Sequence, residues 1–187
     1  MRELALHILD LVQNSIEAGA ARVTLEIIED CKADTLTIRV IDNGRGMDAD
    51  TLRRVLDPFV TTRTTRRIGL GLPLIDMSTK RCEGYLRLTS AVGEGTVVEA
   101  VYRHSHLDRP PLGDMVETVR TVIIGNPELD FTYCHKVDDA AFTLASREIT
   151  EILGDMPLSH PDVILWLREY LAANEANLYG GVQHENS

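Results

Sequence analysis

The stretch LDLVQNSIEAGA, residues 9–20, decides the fold of this chain. In it and just before it, apolar side chains recur at the 3.6-residue spacing of a helix, at Leu4, Ile8, Leu11, Val12 and Ile16. The same spacing aligns polar side chains on another side of that helix, at Glu3, His7, Asp10, Asn14 and Glu17. Most such polar stripes are simply solvated, so a ligand on this one needs support from elsewhere in the sequence.

The composition describes a globular chain that can bury a real core. Of its 187 residues 44% are hydrophobic, and the formal net charge is −10. This acidic balance argues against a nucleic-acid partner, because general affinity for nucleic acid depends on many contacts of Lys and Arg with phosphate. No apolar run reaches the roughly 18 residues of a membrane span, and the N-terminus has acidic residues where a signal peptide has none. We therefore expect a cytoplasmic protein with no membrane partner.

Cysteine usage and a cluster of arginines give two further indications. Cys31, Cys82 and Cys134 are scattered and lack CxxC spacing, which indicates reduced packing cysteines rather than a disulfide framework or a zinc site. Five arginines lie close together in this acidic chain, at positions Arg53, Arg54, Arg63, Arg66 and Arg67. Such a local excess of positive charge suggests that this part of the chain meets an anion.

Strand and helix signals alternate after the first helix. RVTLEII and TLTIRVI predict one β-hairpin, and YLRLTSA and TVVEAVY predict another, joined by VGEG. Helices are expected at about 3–18, 49–56 and 70–83, from apolar periodicity, caps and glycine stops. We therefore predict an α/β fold, a two-layer α+β sandwich in which helices cover one face of a mixed, largely antiparallel sheet.

A change in composition divides the chain after the second hairpin. Pro110 and Pro111 indicate a linker over 105–112 between a first domain of residues 1–104 and a small α+β subdomain of residues 113–178. That subdomain is predicted to contain a helix, two strands and two further helices. Residues 179–187 are expected to form a flexible tail.

Three short motifs carry the candidate chemistry. Asp42 ends a strand before NGRG, so a carboxylate that can accept from an amino group such as that of adenine lies beside glycine backbone that a flat ligand can approach. IGLGL opens a helix after the arginine-rich loop and is typical of a phosphate site, because free N–H groups and the helix dipole favour an anion. Taken alone, each of these motifs, like GEGT between two strands, is also compatible with an ordinary turn.

The order and spacing of these motifs resemble the GHKL superfamily of ATP-binding domains, which DNA gyrase, heat-shock chaperones, histidine kinases and mismatch-repair ATPases share. The resemblance covers about residues 3–103 and implies a Bergerat-type ATP-binding fold with ATP or ADP and Mg²⁺ as ligands. DLVQNSIEAGA is similar to the asparagine box, DNGRGM to the first glycine box, DPFVTTR to the phenylalanine box and IGLGL to the second glycine box.

The resemblance also implies roles for individual residues. Asn14 would be the Mg²⁺ ligand, Asp42 would bind the adenine amino group, Gly44 and Gly46 would lie beside the base, and Thr96 would support Asp42. The other residues implied at the nucleotide are Met47, Phe59, Thr62, Arg63, Gly69, Leu70, Gly71 and Leu72. Arg63 is placed for a phosphate contact, although a solvated loop arginine fits the sequence equally well.

Two positions depart from the family pattern. Relatives that hydrolyse ATP commonly have Glu one turn before the asparagine, where Asp10 stands here with a carboxylate one methylene shorter. Arg67 stands where the second glycine box usually begins with Gly. Turnover is therefore less well supported than binding, because a misplacement near 1 Å can cost about a hundredfold in rate.

The resemblance leaves the reaction open. Only nine residues precede Asp10, so no helical module with a phosphoacceptor His is expected ahead of it. The sequence therefore favours an Mg-ATP-binding protein that acts as a protein kinase on a separate protein or as a weak ATPase. The alternative is a non-catalytic, ATP-dependent switch or adaptor whose C-terminal part binds a partner protein.

Overall fold

The sheet of this protein has six strands in the order β3-β4-β2-β1-β5-β6. The computed structural model describes residues 3–56 and 71–180. Its strands are β1 (Arg22–Asp30), β2 (Thr35–Asp42), β3 (Tyr85–Ala91), β4 (Gly95–Arg103), β5 (Asp130–Val137) and β6 (Ala140–Ala145). Its helices are α1 (Leu4–Glu17), α2 (Ala49–Arg54), α3 (Gly71–Arg81), α4 (Met115–Gly125), α5 (Ser146–Leu153) and α6 (Pro161–Gly180).

Strand pairing in this sheet is largely antiparallel. The β1–β2, β3–β4 and β5–β6 hairpins and the β2–β4 pair all run antiparallel. β1 and β5 run parallel, with Arg22 opposite Asp130 and Glu29 opposite Val137. The predicted mixed, largely antiparallel sheet is therefore confirmed.

The helices cover one face of the sheet, as predicted. Along β1, β2 and β5 every second residue is buried beneath them, including Val23, Leu25 and Ile27 of β1 and Phe131 and Tyr133 of β5. α1 packs against α3 and α4, and α4 packs against α6, so the helices form one layer. The core lies between this layer and the sheet, because burial of apolar side chains is the main favourable contribution to folding. Among the described residues, no helix is long and apolar enough to cross a membrane.

The C-terminal part of the chain extends the same sheet. The predicted helices and hairpin are present, and β5 pairs with Arg22 to Glu29 of β1, so that the C-terminal hairpin joins the first sheet. The segment expected to be a linker also contacts the first helix, because Leu4 and Ala5 donate their N–H groups to the carbonyls of Pro111 and Leu112 at 2.9 and 2.8 Å. The division into separate folding units remains a prediction.

Tyr179 and Gly180, the first residues of the expected flexible tail, belong to the last helix of the structure. α6 continues to Gly180, and the Tyr179 hydroxyl donates to Glu29 on β1. The predicted tail beyond Gly180 lies outside the described residues.

Candidate functional site

A cleft of about 420 Å³ opens between α1, the turn after β2 and the start of β4. Polar groups from Asn14, Ser15, Asp42, Arg45 and Thr96 line it. Its apolar lining includes Leu11, Met47, Val55, Leu72, Val92 and Val98. A largely apolar cleft with a few convergent polar groups is typical of a site for a small organic ligand.

Asp42 lies at the floor of this cleft and is 9% exposed. Its Oδ1 accepts from the backbone N–H groups of Gly44 at 2.9 Å and Thr96 at 3.2 Å. Its Oδ2 accepts from the Ser15 hydroxyl at 2.7 Å. A carboxylate offers about four acceptor positions, so these three bonds fix its orientation and leave capacity on Oδ2 for one more donor.

Ser15 is one of two residues of the cleft, with Arg45, that sequence reasoning missed and to which we assign a role. It lies on the buried side of α1, one residue after Asn14, and its hydroxyl is 2.7 Å from Asp42 Oδ2. A serine at a buried helical position next to a candidate ligand could have signalled this role, because a buried hydroxyl needs a partner.

The glycines of the turn after β2 satisfy packing requirements of the protein itself. Gly46 has φ +65°, and a Cβ there would lie 1.9 Å from the carbonyl oxygen of Ala91. A Cβ on Gly44 would lie 2.9 Å from that of Ala18. Gly46 lines the cleft, whereas the contribution of Gly44 is the amide that holds Asp42.

Thr96 contacts Asp42 through its backbone and not through its side-chain hydroxyl. Its backbone N–H reaches Asp42, while its hydroxyl lies 2.9 Å from the Ser90 hydroxyl. Ser90 in turn donates to the Gly95 carbonyl and accepts from the Met47 N–H, each at 2.8 Å. This network joins the first glycine turn to the β3–β4 hairpin and fixes the wall of the cleft.

The polar stripe of α1 turns partly into the cleft. Asn14 and Glu17 line it, and the side-chain amide of Asn14 makes no hydrogen bond with any residue in the described ranges. Asp10 lies one turn earlier and is exposed. The first residue of α3, Gly71, faces Asp10, since a Cβ on Gly71 would be 3.5 Å from the Asp10 Cβ. The stripe is therefore not merely solvated along its whole length.

Arg45 adds a cation to the cleft that the sequence had not singled out. It is exposed, lines the cleft, and makes no ion pair with the carboxylates of residues 3–56 or 71–180. Its place inside the motif DNGRG was the available signal. An arginine at the rim that no described carboxylate pairs suits an anionic group of a ligand.

Several candidate residues cannot be placed. Phe59, Thr62, Arg63, Gly69 and Leu70 lie outside the described residues, so their roles remain predictions. Leu72 is described and is buried in the cleft wall. Within the described part of the chain, no group of three or more His, Cys, Asp or Glu side chains could hold a metal ion.

Comparison with known proteins identifies the family. Residues 2–105 match the model of histidine kinase-, DNA gyrase B- and HSP90-like ATPases. The chain belongs to this family, and its fold is the GHKL ATPase fold that the sequence motifs predicted.

Curated relatives include sensor kinases of bacteria. The chain is 42% identical over 89 residues to the sensor protein kinase FleS of Pseudomonas aeruginosa. The aligned segment covers 48% of this chain and 22% of FleS. It is 31% identical over 93 residues to sporulation kinase C of Bacillus subtilis, and this aligned segment covers 50% of this chain and 22% of that kinase. The chain thus spans less than a quarter of the length of these relatives.

A solved structure supports the fold beyond the family segment. The N-terminal domain of a DNA repair protein aligns with 83% of this chain and 58% of its own length, at a TM-score of 0.56 and 17% sequence identity. At this identity, the likeness concerns the fold alone.

Proposed function

We propose that the cleft binds ATP or ADP through Asp42, together with Mg²⁺ at Asn14. The observation that carries this proposal is the arrangement of the Asp42 carboxylate, which three protein donors orient while Oδ2 retains capacity for another. The exocyclic amino group of adenine is such a donor. Guanine presents a carbonyl at the equivalent position, which a carboxylate cannot bind.

The cleft walls suit the remainder of a nucleotide. Leu11, Met47 and Val98 offer apolar surface to the faces of the base, while Arg45 offers positive charge to the phosphates. The start of α3 faces Asp10, so the N–H groups of its first turn lie on the side of the cleft where we place the phosphates.

Asn14 fits a magnesium ligand. Mg²⁺ keeps several waters and usually takes one or two protein oxygens together with phosphate oxygens, so a single side-chain amide that no described residue pairs is sufficient. A bound Mg²⁺ would neutralise charge on the phosphates. The Asn14 side chain would orient that group relative to Asp10, one helical turn away.

The reaction that we propose is phosphoryl transfer from ATP to a separate protein, with hydrolysis as a slow side reaction. Asp10 would accept the proton of the attacking hydroxyl or water. The identity to sensor kinases over the ATPase segment supports a kinase. A switch that binds ATP without turning it over remains the second candidate, favoured by the short reach of Asp10 compared with Glu.

Calorimetry on the Asp42→Asn variant tests nucleotide binding. The substitution replaces an acceptor with a group that can donate, and we expect a loss of at least about 1–3 kcal/mol in ATP binding. Asp50→Asn is the matched control, because Asp50 lies outside the cleft and pairs with Arg53. Undiminished affinity of Asp42→Asn, or equal affinity for GTP, would contradict the proposal.

A labelling experiment separates kinase from switch. A bacterial lysate supplied with this protein and radiolabelled ATP should show a labelled protein band that is absent when Asp42→Asn replaces the parent chain. Tight ATP binding with no labelled band and no hydrolysis would favour the switch.

A further inference from the structure

The edge of the sheet at β6 carries backbone groups that no described residue pairs. The neighbour of β6 in the sheet, β5, pairs with β1 along its other edge. There the backbone N–H groups of Asp130 and Asp138 donate to the backbone carbonyls of Ala21 and Glu29, at 3.0 and 2.9 Å. The even-numbered residues of β5 therefore bond to β1 and the odd-numbered ones to β6. In the register of the β5–β6 hairpin, those odd residues face Ala140, Phe142 and Leu144.

The remaining residues of β6 must direct their backbone groups outward. Ala141 and Thr143 are exposed, and their N–H and C=O groups point away from β5. Proteins usually protect such an edge with charged residues, proline or a bulge. β6 reads AAFTLA and contains none of these.

Aromatic side chains lie beside this edge on the helix side of the sheet. The Phe142 ring meets Tyr170 of α6 at 5.9 Å, and Tyr170 stacks on Trp166 at 5.2 Å. Tyr170 and Trp166 are 38% and 43% exposed, although both belong to the helix that packs on the sheet. An apolar surface thus continues from the edge strand to solvent.

We propose that β6 pairs with β6 of a second copy of this chain, in antiparallel orientation about a two-fold axis at Phe142. In this register Ala141 faces Thr143 of the other copy, so each outward N–H meets an outward C=O and four backbone hydrogen bonds form across the axis. The two Phe142 side chains then lie opposite each other beneath the aromatic pairs, and one sheet runs through both copies.

Charge complementarity selects a second copy as the occupant. The register that pairs Ala141 with Thr143 brings Asp139 opposite Ala145 of the other copy, within two residues of Arg147 of that copy. Asp139 and Arg147 are both exposed, and neither forms an ion pair within the described part of the chain. The two-fold axis makes this pairing twice, while the strand itself carries no charge that would oppose the approach of two acidic chains.

Sedimentation velocity of the full chain with the Thr143→Pro variant tests the pairing. Proline removes the outward N–H of residue 143 without breaking a β5–β6 hydrogen bond, so the fold should persist. We expect the parent chain to sediment at twice the 20.8 kDa of one chain and Thr143→Pro to raise the dissociation constant at least tenfold. Thr143→Val keeps the N–H and the shape, and should remain dimeric.

A charge exchange tests the register independently of the proline variant. Asp139→Arg and Arg147→Asp alone should each weaken the dimer about two- to fivefold, and the double variant should restore it. Dilution should also shift the emission of Trp166, the one tryptophan of the chain, to longer wavelength. A parent chain that stays monomeric overturns the proposal and leaves the edge to a strand of another protein. A folded Thr143→Pro variant that remains dimeric overturns the proposal as well. If Thr143→Pro does not fold, the charge variants decide, and a dimer whose dissociation constant they leave unchanged overturns the proposal.

Discussion

A buried charged cluster at the far end of β1 should give the stability of this protein a distinct pH dependence. His135 of β5 is fully buried between two carboxylates, with Nε2 3.1 Å from Glu29 and Nδ1 2.8 Å from Glu175 of α6. The hydroxyls of Tyr133 and Tyr179 donate to Glu175 and Glu29 respectively. His104 also contacts Glu29, at 2.7 Å.

The pKa of His135 gives the magnitude. Burial alone would lower this pKa, but the hydrogen bonds and charges of Glu175 and Glu29 outweigh burial and raise it from 6.5 to about 9. Each pKa unit corresponds to about 1.4 kcal/mol, so protonated His135 contributes about 3 kcal/mol to the free energy of unfolding. This contribution is fully present below pH 6.5, the unfolded value, and is lost as the pH rises through about 9.

The same cluster also makes the free energy of unfolding fall at acidic pH, through Glu29. Burial would raise the pKa of Glu29, but hydrogen bonds from His135, Tyr179 and His104 lower it from 4.5 to about 2. Stabilisation by this carboxylate is present above pH 4.5 and lost as the pH falls towards 2. The two shifts share one ion pair, so their energies are not added.

Urea unfolding of the parent chain and His135→Gln between pH 5 and pH 9 measures this effect. The parent should lose about 3 kcal/mol between pH 6.5 and pH 9, while His135→Gln should be less stable at pH 6 and nearly flat over that interval. His160→Gln, at a half-buried histidine whose side chain is 41% exposed, serves as the control. Equal pH slopes for the parent and His135→Gln would refute the assignment of a charge to His135.

Three further predictions concern the cleft. Asn14→Ala should weaken Mg²⁺-dependent ATP binding about tenfold in calorimetry, because it deletes the side-chain oxygen offered to the metal. Asp10→Asn should bind ATP nearly as the parent does and lose phosphate release or transfer. Asp10→Glu should raise the rate of hydrolysis if the length of the Asp10 side chain limits it. Unchanged turnover in both variants would exclude Asp10 as the base. Gly46→Ala should lower the free energy of unfolding by at least about 2 kcal/mol more than Gly93→Ala, since both have positive φ but only Gly46 would meet a carbonyl oxygen, at 1.9 Å.

Local sequence signals were sufficient for much of the fold and for part of the site. The apolar rhythm of residues 4–16 predicted α1, and alternation predicted both hairpins of the first hundred residues. Asp42 was singled out because a carboxylate preceded a glycine turn, and the structure places it in the cleft, while its role at a nucleotide stays a prediction. These features depend on neighbours within a few positions, where periodicity and turn chemistry are visible in the sequence.

Contacts between distant segments could not be predicted in this way. β5 follows β1 by about a hundred residues, and its apolar pattern fits a separate sheet as well as an edge of the existing one. Glu29 and His135 occupy inward positions that are otherwise apolar in β1 and β5. In the sequence each is an unexplained exception to the apolar pattern, and only the structure shows that they pair with each other. Ser15 was missed for the same reason, since its partner Asp42 is 27 positions away.

The C-terminal segment and the cleft are joined through α1. This helix presents Asn14 and Ser15 to the cleft, while its first N–H groups donate to carbonyls of Pro111 and Leu112. The first N–H groups of a helix have no partner within it, so these carbonyls fix where α1 begins and in which direction it runs. Gly113 follows with φ +89°, and a Cβ there would lie 2.9 Å from that of Ala5. The position of Asn14 relative to Asp42 therefore depends on residues outside the family segment as well as on the sheet beneath α1.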